Sequence, residues 1–205
     1  MNELIPMQSK EKQLAYWTNP CSKNNPLNYL VGKRGRSELI AKTALKYLSS
    51  NATILELGCN VGRNLNYLRY VGFKHLTSIE INLKAIEVLK QVYLELADIV
   101  TIHSGAIEDN IKSFKDNQFD MTLAVAVLMH LVPESEWVFD EMVRITKQYI
   151  FCLDEELLSS ITRKPRNYQE VFESRGMKQI EVVDCKTIDD LTEGYHFRVF
   201  EKCQK

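Results

Sequence analysis

Residues 52–64, ATILELGCNVGRN, constrain this chain more than any other stretch. Ile54, Leu55 and Leu57, with β-branched Thr53, form the apolar run of a buried central strand. Gly58 follows at once, then Asn60 and Gly62, and a helical pattern begins at Arg63. The segment reads as strand, tight turn, helix. Such a turn needs residues that accept positive φ or let a ligand approach the backbone. Glycine does this freely, and asparagine is the best substitute. The helix start beyond the turn offers free N–H groups to a polar ligand.

Two ligand classes use this geometry. A dinucleotide site spaces its glycines G-x-G-x-x-G so that a pyrophosphate can sit on the helix N-terminus. Here the spacing is Glu56-x-Gly58-x-Asn60-x-Gly62, with a carboxylate at the strand end. That charge repels a pyrophosphate and suits an ammonium or a sulfonium. An ordinary βα turn with chance glycines is the bland alternative. The stretch resembles motif I of the class I S-adenosylmethionine-dependent methyltransferases, whose usual form is Glu/Asp-x-Gly-x-Gly-x-Gly, with Asn60 standing for the middle glycine. The resemblance implies S-adenosylmethionine as cofactor, with Asn64 at the helix start among its neighbours.

The rest of the chain alternates strand and helix patterns. Ser37 caps an expected helix to about residue 49, and helices are expected over 63–70, from Asn82 onward, over 133–146 and over 168–175. Strands are expected over 75–81, 99–103, 119–125, 149–153, 179–185 and 195–201, with a loop at 105–109. Alternation of this kind argues for an α/β, doubly wound, mostly parallel sheet with right-handed crossovers. The short link between the last two strands argues for an antiparallel hairpin at one edge. That ending also resembles the seven-stranded Rossmann-like methyltransferase fold, with its antiparallel C-terminal strand. The expected organisation is one domain, with residues 1–36 as a lid or cap on a methyltransferase domain over 37–205.

The resemblance also assigns the ligand side of the sheet. Glu80, about 20 residues past the turn, is expected to hold both ribose hydroxyls, with Ile81 beside the cofactor. Asn82 either touches the adenosine or caps the following helix. Ala106 and Ile107 match the adenine positions. Glu108 or Asp109 accepts from the exocyclic amine or merely starts a helix. Ala124 is expected beside the methionine portion. His130, in LMHL, is either a base toward a hydroxyl acceptor or a turn residue bonded for structural reasons. Asp154, with Glu155 and Glu156, either orients or deprotonates the acceptor, Asp154 being the catalytic candidate, or is solvated charge. The strings ELGCNVGRNL, SIEIN and VLMHLVPESEW are similar to a subgroup that includes methylases of nonulosonic, pseudaminic-type sugar pathways.

Two basic clusters, Lys33, Arg34 and Arg36, and Arg163, Lys164 and Arg166, are expected over the ligand face. There Arg36 and Arg166 would hold an anionic acceptor, unless both clusters are solvated surface. Tyr16 and Trp17 are expected as a water-excluding lid, with Tyr16 binding the substrate, or as packing of an N-terminal helix. The expected activity is methyl transfer to O or N of a small polar metabolite, anionic or sugar-like. The alternatives are a cofactor-binding protein without catalysis and a nicotinamide-dependent oxidoreductase.

Composition narrows the partners. A net charge of -1 gives no drive toward nucleic acid or acidic membranes. No apolar run spans a bilayer. The five cysteines form no C-x-x-C pair, so no metal site is expected and a reduced, cytoplasmic protein is. A monomer or homodimer is expected.

Overall fold

The computed structural model describes residues 6–20, 24–32, 34–189 and 191–203; Cys21 and Lys33 lie outside them. The elements are α1 (Lys10–Thr18), a 3-10 turn (Pro26–Tyr29), α2 (Arg34–Tyr47), β1 (Thr53–Leu57), α3 (Arg63–Tyr70), β2 (His75–Glu80), α4 (Leu83–Val92), α5 (Leu94–Ala97) and β3 (Thr101–Ser104). They continue with α6 (Ile107–Asn110), β4 (Phe119–Val125), α7 (Trp137–Ile145), β5 (Thr146–Glu155), α8 (Tyr168–Glu173), β6 (Met177–Asp184) and β7 (Tyr195–Lys202). The expected boundary after residue 36 falls inside α2.

The seven strands form one sheet in the order β3-β2-β1-β4-β5-β7-β6. Neighbours from β3 to β5 pair in parallel, and β7 runs antiparallel to both β5 and β6. This is the expected mostly parallel, seven-stranded sheet with a reversed last strand. Successive side chains of β1 point to opposite faces. Ile54 joins a core with Leu65, Leu68 and Leu89, while Leu55 and Leu57 join one with Val138, Phe139, Tyr168 and Phe172. Burial on both faces is why β1 reads as apolar almost throughout, and why Glu56, on the α3 side, stands out.

Register fixes where the two key acids lie. Glu56 pairs with Ser78, so Glu80, two residues on, shares its face of the sheet. At the sheet's carboxyl end between β1 and β4, the switch point of the strand order, ligands bind in folds of this kind.

Candidate cofactor and acceptor site

The turn after β1 is held by β2. Gly58 N–H donates to the Ile79 carbonyl at 2.8 Å. Glu80 Oε2 accepts from Asn60 N–H at 2.6 Å, and Glu80 Oε1 from Asn82 N–H at 2.8 Å. Asn60 takes φ 51° and its own Oδ1 accepts from Val61 N–H, so asparagine fills the glycine position with a local hydrogen bond. Gly58 also has positive φ, and a side chain there would meet Val127 Cγ2 at 2.7 Å. Glycine is therefore required on two grounds. Burial raises the Glu80 carboxyl above its ordinary value, against the pull of these N–H donors.

This turn forms one end of a cavity of about 710 Å³. Gly58, Asn60, Asn64, Glu80, Ile81, Asn82, Ala106 and Ile107 all line it. Asn82 does both things expected of it: it reaches the cavity and caps α4 by accepting from Ala85 N–H. Glu108 also lines the cavity, with Oε1 accepting from Ser135, whereas Asp109 is exposed in the first turn of α6.

Three cofactor-side residues stand elsewhere. Gly62 is not on the wall. It starts α3 at φ 76°, with Leu89 filling the space a side chain would need. Ala124 is fully buried in the α7–α8 core, and the wall beside it is Val125, Ala126 and Val127. Alternation along β4 turns Ala124 away. Glu56 lies just behind the wall, 1% exposed. Its Oε1 accepts from Asn64 Nδ2 at 2.7 Å, Asn64 Oδ1 accepts from Ser37, and its Oε2 is buried without a hydrogen bond. Burial pushes Glu56 up to about 7. A buried carboxylate oxygen without a partner, beside a second carboxylate on the wall, suits a ligand that carries a positive charge and hydroxyls.

The other end of the cavity is assembled from distant segments. α1 is polar nearly all round, and Gln13 is its buried residue. Gln13 Nε2 donates to the His130 and Thr162 carbonyls at 3.0 and 3.1 Å. This seats Tyr16 and Trp17 on the cavity, with the Trp17 ring 4.5 Å from that of His130. Tyr29, Arg36, Arg163, Leu191 and Tyr195 complete the wall.

His130 reaches the cavity, but as a weak base. Burial pushes it down to about 4, and the charges of Arg163 and Arg166 act the same way. The ring is neutral near pH 7, and Nδ1 donates to the Thr162 carbonyl at 2.7 Å.

Asp154 is corrected. β5 runs on to Glu155, past the expected end, so Asp154 is a strand residue with no exposed surface. Its oxygens accept from the N–H groups of Val127, Leu128 and Met129 at 3.0–3.3 Å, and burial raises its pKa to about 7. Glu155 likewise accepts from Leu157 and Leu158 N–H, and Glu156 pairs with Arg198. These acids shape the loops behind β4 and β5 instead of facing an acceptor.

Arg166 is corrected too. Its side chain is 3% exposed, pairs with Glu136 and donates to the Leu128 and Leu131 carbonyls. Lys164 also pairs with Glu136. The cluster does meet Arg36 at the cavity, but through Arg163. Among the residues that a sequence reading passes over, Tyr29, Tyr195 and Gln13 carry no local signal, since each reaches the site only through the tertiary fold.

A family model described as a methyltransferase domain matches residues 55–151. Among curated proteins the chain has no match. Several solved structures share its fold. Magnesium protoporphyrin IX methyltransferase from Synechocystis PCC 6803, solved with bound SAH, is 10% identical with a TM-score of 0.73, over 95% of this chain and 100% of that one. The methyltransferase solved with the Haloferax volcanii Trm112 activator is 16% identical with a TM-score of 0.66, over 83% and 94%. The cyclase SpnF is 14% identical with a TM-score of 0.67, over 83% and 81%. That last likeness shows that the fold does not fix the reaction. The domain match, the sheet order and the acid-lined turn make this the Rossmann-like fold of S-adenosylmethionine-dependent methyltransferases, with S-adenosylmethionine the cofactor they imply.

Proposed function

We propose that the chain transfers a methyl group from S-adenosylmethionine to O or N of a small polar metabolite, anionic or sugar-like. One observation carries this reading: Glu80, on the cavity wall, locks the turn after β1 on the same face as the half-satisfied Glu56. The cofactor, when bound, supplies a methyl group already activated on a sulfonium. Glu80 retains lone pairs for ribose hydroxyls after its two backbone bonds. Ala106 and Ile107 offer backbone and apolar surface for adenine. Asn64, on the wall, is oriented by its hydrogen bond to Glu56 behind it. The resemblance of ELGCNVGRNL, SIEIN and VLMHLVPESEW to strings of sugar-pathway methylases supports a sugar-like acceptor.

No strong base faces the acceptor end among the described residues: His130 is held near 4 and the β5 acids are engaged. Rate therefore comes chiefly from alignment of donor and acceptor. Within the expected 1–36 lid, described residues 6–20 and 24–32 act as the cover that excludes water, with Trp17 on His130 as its seat. Among the described residues no helix is long and apolar enough to cross a membrane. Buried thiols at Cys59, Cys152 and Cys185 support a reducing, cytoplasmic setting; the protein works there as a monomer or homodimer.

The test is labelled-methyl transfer from S-adenosylmethionine into a small-metabolite extract, with product masses read out, beside calorimetry with S-adenosylmethionine and with a nicotinamide dinucleotide. Cofactor binding and a methylated product are expected. Tight binding of the dinucleotide and none of S-adenosylmethionine would sink the proposal.

A further inference from the structure

Lys10, Arg36, Arg63 and Arg163 bring positive charge to the cavity wall. Arg36 lies 3.5 Å from Asp189. Arg63 spends its guanidinium on the Tyr29 carbonyl at 3.0 Å and Ser37 Oγ at 3.2 Å. Lys10 stands at the start of α1. Arg163 differs from the other two arginines. Its side chain makes no ion pair or hydrogen bond among the described residues, although it is only partly exposed. The acids on the wall, Glu80 and Glu108, are engaged with the β1 turn and Ser135, at the cofactor end.

The backbone around Arg163 is fixed. Arg163 and Ser160 exchange N–H···O bonds of 3.0 and 3.2 Å, and Lys164 N–H donates to the Met129 carbonyl at 2.9 Å. The Thr162 carbonyl accepts from both Gln13 and His130. So the root of the side chain is tied to α1, to the segment after β4 and to its own loop. Its charge acts on Tyr29, His130 and Tyr195, the groups that ring the acceptor end. Trp17, Leu158 and Leu191 add apolar wall there. A partly desolvated guanidinium with no counter-charge is costly, and a ligand that brings the charge removes that cost.

We infer that Arg163 selects the acceptor, by holding the carboxylate or phosphate of a small anion whose ring-shaped or apolar body lies against Trp17, Leu191 and Tyr195. This rests on the methyltransferase reading and narrows its substrate class. It replaces the expected Arg36–Arg166 clamp with a residue that reaches the cavity unspent.

The experiment uses the full chain, with and without saturating S-adenosylhomocysteine, and calorimetric titration of benzoate, phenyl phosphate and neutral benzamide. Binding of at least one anion about tenfold or more tighter than benzamide is expected. Whichever anion binds tighter tells a carboxylate site from a phosphate site. Arg163→Gln should lose the preference, Arg163→Lys should keep part of it, and both should bind S-adenosylhomocysteine as the parent does. Anions that bind no better than benzamide, or a preference that survives in Arg163→Gln, overturn the inference. A parent chain that prefers the anion, loses that preference in Arg163→Gln and binds no S-adenosylhomocysteine would instead overturn the methyltransferase reading and leave the anion site standing.

Discussion

The two ends of the cavity are built by opposite means. At the cofactor end the working groups are close in sequence and mostly backbone: Glu80 is bonded to Asn60, 20 residues away, and to Asn82, two away. At the acceptor end the bonds join segments far apart, with Gln13 reaching His130 across 117 residues and Thr162 across 149. Parallel strands dictate the first arrangement, because a βα turn must follow each strand. Nothing local dictates the second, so it is free to vary with the acceptor. On the proposed function, the difference teaches that donor binding and acceptor choice fall to separately built parts of the molecule.

The sharpest way to break that contrast is Glu80→Ala. It strands two backbone donors and removes the wall carboxylate. Cofactor affinity should fall about a hundredfold or more, and stability by about 3 kcal/mol. Calorimetry and denaturant unfolding check both; an unaltered cofactor affinity would detach Glu80 from the site. Arg166→Ala should cost almost as much stability, about 3 kcal/mol, by leaving the buried Leu131 carbonyl without its donor and by taking one donor each from the Leu128 carbonyl and Glu136, which keep Leu131 N–H and Lys164. Cofactor affinity of the folded variant should hold. If acceptor binding failed with no loss of stability, the expected substrate role of Arg166 would return.

The two ends should also differ in their response to pH. Glu56 is raised in the fold to about 7 from 4.5, so the native state holds more protons between these values. Its contribution is complete below 4.5 and is lost as pH rises through 7. His130 is depressed to about 4 from 6.5, so its contribution is present above 6.5 and is lost as pH falls through 4. Unfolding of the parent against Glu56→Gln should reveal a difference that changes by about 2 kcal/mol between about pH 5 and about pH 8. A pH-independent difference would mean that Glu56 is ionised throughout. The smallest effect belongs to the cover. Trp17→Ala should raise the acceptor KM about tenfold, or roughly 1.4 kcal/mol, with cofactor affinity unchanged. An equal loss of both would merge the two ends.

Much of the frame was legible because its elements carry local signals. Helix Arg63–Tyr70 and strand Phe119–Val125 fall where the glycine turn and the apolar run put them. The helix opening at Asn82 breaks at Tyr93, because that residue leaves helical geometry at φ -112° and ψ 67°. The short α6 lies where the sequence predicts a loop, because it has a single turn and no buried residue. α1 shows no apolar stripe, so pattern alone does not reveal it; its anchor is the amide of Gln13.

By itself the sequence determined the strand–turn–helix, the acids at the ends of β1 and β2, and the reversed last strand, because each follows from period, turn chemistry or link length over a few residues. Tertiary structure alone decided which charges face the cavity. Asp154 and Arg166 are drawn inward to satisfy backbone groups, Arg163 is left to the cavity, and Glu56 stops one layer short of it. Whether a charged side chain is spent on the fold or kept for a ligand depends on which unpaired donors and acceptors arrive beside it, and those come from segments that meet only when the chain has folded.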